Sequence, residues 1–164
     1  MIFYHYTHEW AIDGIRSTGV LKTTPKAIAP MPAWLNLTTD PDPSGHGLPD
    51  GRELVYGENM PCKEIAGRHY CYDYTEWRVG MDLNEGDSDL VKASTHHTAE
   101  FFEALEIAGY LPTGSNVPDP VFRATVEGIR TGNLPRKGAT WWYYKKAIPV
   151  SQGLLLSTGF LQRR

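Results

Sequence analysis

No apolar run in this chain is long enough to cross a bilayer; the longest span only a few residues, as in Gly153-Leu154-Leu155-Leu156. Charge of one sign is missing too. Sixteen Lys and Arg stand against nineteen Asp and Glu, a net of -3, which excludes a whole-surface nucleic-acid clamp and a polybasic membrane binder. Cysteine is scarce, with only Cys62 and Cys71. Their spacing permits one disulfide but not a CxxC-type zinc pair, so no metal is expected. The opening Met-Ile-Phe-Tyr-His-Tyr-Thr has neither a basic start nor a long apolar stretch. A cytoplasmic protein with two free thiols is therefore expected. Walker loops, Gly-x-Ser-x-Gly elbows, Gly-x-Gly-x-x-Gly turns and zinc-helix motifs are absent as well.

What is present is an ordinary globular composition, 41% hydrophobic and 12% aromatic, over 164 residues. That length suits one domain, residues 1–164, with a sizeable core. Sixteen glycines and twelve prolines indicate short elements and many loops.

Ile2 to Tyr6 reads as a strand, with Ile2, Tyr4 and Tyr6 on one face and Phe3, His5 and Thr7 on the other. A helix follows from Thr7 or His8 to Ser17, its stripe Ala11, Ile12 and Ile15 and its stop Gly19. Ala33 to Thr39 is a second strand, ended by the turn cluster Asp40-Pro41-Asp42-Pro43-Ser44-Gly45. Residues 44–70 read as a long excursion. Tyr74 to Leu83 alternates cleanly, with Trp77, Val79, Met81 and Leu83 opposite Glu76, Arg78, Gly80 and Asp82. Helices are expected at Ala99 to Ala108, capped by Thr98, and from Asp119-Pro120 to Arg130. A long aromatic strand runs from Trp141 to Ile148, broken by Pro149, and Gly153 to Thr158 reads as a last short strand. The order predicts an α+β domain around a split, strongly bent sheet flanked by about three helices.

Three places carry candidate chemistry. His5 and Thr7 share a strand face at a strand-to-helix corner, where ring nitrogen, hydroxyl and main chain can meet a ligand; the same pattern serves a packed strand histidine. In Trp141 to Lys146, alternation separates Trp141 and Tyr143 from Trp142 and Tyr144. One pair must be core, and the other can stack on a base or a nicotinamide, with Lys145 or Lys146 on a phosphate. His96 and His97 read as polar loop, and His46 lies in a loop, Ser44-Gly45-His46-Gly47, able to reach a substrate. Glu100, Glu103, Glu106 and Glu127 read as helix surface. Eight basic residues in the last 42 positions, against Glu127 alone, offer a basic strip.

The pattern Tyr4-His5-Tyr6-Thr7, then Ile12, Ile15, Gly19 and Leu21, then Trp34-Leu35-Asn36-Leu37-Thr38-Thr39, resembles the opening of the ADP-ribosyltransferase superfamily, which includes the RNA 2′-phosphotransferases. The likeness covers about 40 residues closely. It implies a clamp-like split sheet binding NAD in a groove, with His5 on the nicotinamide ribose, the backbone at Tyr6 on the carboxamide, and Thr7, Trp34, Thr38 and Thr39 beside them. Tyr143 is the stacking candidate from the aromatic strand. The superfamily's late-strand glutamate has no counterpart in Trp141-Trp142-Tyr143-Tyr144-Lys145-Lys146. Glu76 and Arg78, on one strand face, are the substitutes: Arg78 to neutralise a diphosphate, Glu76 to orient a ribose hydroxyl or deprotonate an acceptor. A solvent-facing ion pair is the competing reading of those two. The expectation is thus an enzyme that uses NAD as co-substrate to modify a protein or nucleic acid, with His5, Glu76 and Arg78 catalytic. A nucleotide, ADP-ribose or RNA-end binding module of the same fold is the alternative, or a small partner-inhibiting protein.

Overall fold

The computed structural model describes residues 1–23, 33–58, 60–111 and 117–150. Its centre is a five-stranded antiparallel sheet in the order β6-β1-β3-β8-β7. The strands are β1 (Ile2–Thr7), β3 (Leu35–Thr38), β6 (Trp77–Asp82), β7 (Leu90–Lys92) and β8 (Trp141–Tyr144). Two small ribbons flank it: β2 (Val20–Leu21) with β9 (Ile148–Pro149), and β4 (Cys62–Ile65) with β5 (Arg68–Cys71). The described helices are α1 (Glu9–Thr18), α2 (Ala93–His96), α3 (Ala99–Ala108) and α4 (Asp119–Arg130). The α+β class holds; the single-turn helix α2 and the ribbon β4–β5 go beyond the elements expected from sequence.

Period-two patterning decides which sheet face is core. In the register, Phe3 faces Met81, His5 faces Val79, and Leu37 faces Trp142. Phe3, Val79, Met81, Leu35 and Leu37 are all at most 3% exposed, and Phe3 meets Trp142 edge to face at 5.4 Å between centroids. Ile12 and Ile15 of α1 close this core. Helix α1 ends where expected, because Gly19 takes the left-handed conformation (φ 66°) and returns its N–H to the Ile15 carbonyl.

The opposite face carries Tyr4, Tyr6, Asn36, Thr38, Trp141 and Tyr143, which the same registers align. Trp142 and Tyr144 are therefore the core pair of the aromatic strand, and Trp141 and Tyr143 the pair turned to the other side. That strand stops at Tyr144 rather than running to Ile148, and the Lys145 amide leaves it for the Asp89 carbonyl. Pro149 belongs to β9, where its missing N–H costs nothing at the end of a two-residue edge. The strand expected at Gly153 to Thr158 lies outside the described residues.

Candidate functional site

Strands β1 and β3 pair at Tyr4↔Thr38 alone. A continued antiparallel ladder would set Tyr6 against Asn36; instead the His5 ring donates from Nδ1 to the Asn36 carbonyl at 2.9 Å. A carbonyl can only accept, so the ring carries a proton on Nδ1. Beside this seam lies a cavity of about 390 Å³, within the usual range for small-molecule sites. Its floor is three residues from each central strand: Tyr4 to Tyr6, Asn36 to Thr38 and Trp141 to Tyr143. His46 to Pro49 and Tyr74 form one wall, and Leu105 and Ala108 of α3 with the Gly109 that ends it another. A second cavity of about 320 Å³ lies against Pro43 to Gly45, Arg52 and Tyr110, and shares Gly47, Leu48 and Gly109 with the first.

His46 is the residue sequence alone left without a partner. Its side chain is 5% exposed, and Trp141 Nε1 donates to its Nδ1 at 2.7 Å. An indole N–H is only a donor, so neutral His46 carries its proton on Nε2. That Nε2 is buried without a hydrogen-bond partner, 3.8 Å from Asp40 Oδ2. Burial, then the Lys137 charge, lowers the His46 pKa against the opposing pull of Asp40. Asp40 itself is held by Lys137. Burial works to raise the Asp40 pKa, but the Lys137 bond and the Asp42 amide outweigh it and hold the carboxyl below its ordinary range. Tyr6 closes the group by donating its hydroxyl to the Asp40 carbonyl at 3.0 Å, and burial raises its pKa.

Of the residues proposed from sequence, His5, Tyr6, Thr38 and Tyr143 line the cavity. Thr38 Oγ1 shares a 2.8 Å hydrogen bond with Thr140 Oγ1. The Tyr143 hydroxyl meets His97 Nε2 at 2.8 Å, and burial pushes its pKa up to about 12. His97 lies in the loop between α2 and α3, as expected, and is tied there to a side chain that lines the cavity. Trp34 packs 6.1 Å from Tyr143 and 5.0 Å from His96, outside the cavity lining. Thr7 is buried opposite Trp77, and Thr39 gives its amide to the Thr140 carbonyl; neither lines the cavity.

Glu76 and Arg78 do not flank His5 as expected. Arg78 stands opposite Tyr6 while His5 stands opposite Val79, so the pleat sends them to opposite faces. The Arg78 guanidinium lies 5.1 Å over the Tyr4 ring and donates to the Pro41 carbonyl. Glu76 precedes β6, is exposed, and sits against Glu9 at the start of α1. Burial and then the Glu9 and Asp73 carboxylates raise its pKa. It is absent from the cavity lining.

Two further expectations change. Glu106 is not helix surface: it is 2% exposed and bound by Arg136 at 2.9 Å. The basic strip is largely neutralised, because Arg123, Arg130, Arg136, Lys137 and Lys146 each pair with a carboxylate. Lys145 lies 5.6 Å over Trp34, and Arg163 and Arg164 fall outside the described residues. Compared with known proteins, the chain matches no family model, no curated protein and no solved structure, so the chemistry of this site rests on its own residues.

Proposed function

We propose that the cavity beside the β1–β3 seam binds NAD and that the protein is an ADP-ribosyltransferase-type enzyme acting on a macromolecular acceptor. One observation carries the reading: the His5-Tyr6 strand and the Asn36-to-Thr38 strand, which pair at a single position, line one cavity together. That loosened seam supports the split sheet expected from the sequence. The neighbouring cavity, which shares Gly47, Leu48 and Gly109, suits an extended ligand with two ends.

The residues fit such a ligand in kind. His5 lines the cavity where the resemblance expects a ribose, and the faces of Trp141, Tyr143 and Tyr74 suit a flat, positively charged ring. NAD supplies a carbon–nitrogen bond already weakened by the pyridinium charge, so its nicotinamide leaves without needing a proton. A strong general acid is accordingly not required of the cavity wall. The Asp40 carboxylate, ionised and paired with Lys137, is held behind His46 and Tyr6 and anchors the wall of the site. His5 orients, the aromatic wall excludes water, and Tyr6 with Trp141 keeps the Asp40–His46 pair in place.

The acceptor is better read as protein than nucleic acid, because the basic residues that would have met phosphates are paired with carboxylates. Calorimetric titration with NAD, followed by an assay of nicotinamide release in cell extract, tests the reading. Saturable binding with release is expected, and His5→Ala is expected to abolish release while moving the melting temperature by only a few degrees. A fully active His5→Ala protein, or no NAD binding at millimolar concentration, overturns it. Saturable binding without release moves the conclusion to a binding module, the reading favoured by the lack of a glutamate on β8.

A further inference from the structure

Outside the cavity, the ribbon β4–β5 places the chain's two cysteines directly across from each other. A two-residue turn, Ala66 (φ 51°) and Gly67 (φ 77°), joins the strands and has the positive angles of a type I′ hairpin, which fixes the register. In that register Cys62 is the partner of Cys71, and Glu64 of His69. The backbone of β5 shows which kind of pair this is. The Cys71 N–H bonds to the Arg52 carbonyl, and the His69 carbonyl accepts from Leu54. At residues 69 and 71 the β5 backbone therefore points away from β4, so Cys62 and Cys71 are a non-hydrogen-bonded pair. Such pairs hold their Cα atoms about 4.5 Å apart with side chains close together, inside the span of roughly 4.4–6.8 Å that disulfides bridge. Both thiols are free here.

The two differ in access. Cys62 is exposed and its sulfur lies 3.9 Å from His69 Nδ1, while Cys71 is fully buried. That asymmetry fits an attacking thiol and a resolving thiol. We propose that Cys62 and Cys71 form a dithiol site that closes to an intramolecular disulfide by exchange with a low-molecular-weight disulfide. Cys62 gives its proton to His69 and attacks one sulfur of the small disulfide. A Cys62 mixed disulfide forms, and the first small thiol leaves, protonated. The Cys71 thiol then attacks the Cys62 sulfur, and its proton passes to the second small thiolate as that departs. The Cys62–Cys71 bond forms, the mixed disulfide breaks, and the second small thiol leaves. Two protein thiols are oxidised, one small disulfide is reduced to two thiols, and the proton count balances. β5 runs on through Tyr72 to Tyr74, a wall residue of the cavity, so the closed bond pins the ribbon that leads into that wall.

The test uses the reduced full-length protein, incubated natively with oxidised glutathione and quenched in acid before thiol counting and intact-mass measurement. Both thiols are expected to disappear together, leaving a monomer lighter by two hydrogens. Cys71→Ser, or Cys71→Ala where the serine protein fails to fold, is expected to stop at a glutathione adduct on Cys62. Cys62→Ser is expected to react about tenfold more slowly or less, since Cys71 is shielded. Wild-type protein that halts at the glutathione adduct, forms disulfide-linked dimers, or keeps both thiols overturns the proposal.

Discussion

Acidification should weaken this protein through His46, and the size of the effect follows from how that ring is held. The side chain is 5% exposed, and its Nδ1 accepts from the Trp141 indole at 2.7 Å. Protonating Nδ1 would set two donors against each other in a buried site, which agrees with a pKa lowered by burial and the Lys137 charge. The unfolded chain, with an ordinary histidine pKa of about 6.5, takes up the proton first as pH falls. Below that value the unfolded state binds more protons than the folded one. The contribution is therefore fully present above about pH 6.5 and is lost on the acid side. A ring that stays neutral in the folded state from about pH 7.5 to pH 5 loses roughly 2 kcal/mol of stability over that interval, which is the ceiling. Such a loss is large against a typical total of about 5–15 kcal/mol. His8 and His97 are lowered by burial as well and add losses of the same sign. Urea unfolding at the two pH values, for wild type and His46→Asn, isolates the term, because the other histidines are common to both. The variant keeps an acceptor for Trp141 but cannot titrate. Its stability should fall with acid by about 2 kcal/mol less than wild type at most, and identical pH dependence would refute the reasoning.

Lys137→Met should destabilise by about 3 kcal/mol, since it strands a carboxylate whose side chain is only 19% exposed. Adding Asp40→Asn should recover much of that loss, read by denaturant unfolding as a double-mutant cycle. Gly138→Ala places a Cβ 2.6 Å from both Glu106 Oε1 and Phe102 Cζ. A cost of about 1–3 kcal/mol should appear as a lowered melting temperature; an unchanged one would mean that the Glu106 site is loosely packed. Tyr143→Phe removes the partner of His97 Nε2 and should cost about 1 kcal/mol in urea unfolding, with no loss of the β3–β8 pairing by circular dichroism.

The described residues among the first forty are readable because local signals there agree with the fold. Phe3 alternates with Tyr4 as core and cavity face, Ile12 and Ile15 fall on one helical stripe, and Gly19 stops the helix in the conformation glycine tolerates best. The ribbon β4–β5 gave no such signal. Cys62–Ile65 is exposed throughout, so no alternation marks it. The turn also uses Ala66 at a positive φ, where Asn or Gly would have announced a hairpin. Glu106 shows the converse failure, since a glutamate on a polar-looking helix turn is buried only because Arg136 reaches it from beyond α4.

The site itself was half legible for the same reason. His5 and Tyr6 sit on a strand whose periodicity declares itself, and the face that Tyr4 and Tyr6 share with Asn36 and Thr38 of β3 and Trp141 and Tyr143 of β8 follows from alternation once the strands are paired. The most regularly alternating stretch carries Glu76 and Arg78 on one face, which makes them the charged pair the sequence points to. Register divides the two: Arg78 stands opposite Tyr6 and lies over the Tyr4 ring on the cavity face, while Glu76 precedes the strand and is exposed. The carboxylate set against the cavity residue His46 is instead Asp40, in a turn cluster whose Asp-Pro-Asp-Pro sequence explains itself as chain reversal. Its partners His46 and Lys137, and the Trp141 indole that bonds His46, come from the turn and from residues about a hundred positions later. None of these pairs has a sequence periodicity. Each exists because β3 and β8 pair antiparallel, bringing Thr38 beside Trp141 and the turns that follow and precede them into contact. A buried polar network of that kind is specified by sheet register, and becomes visible only when the register is known.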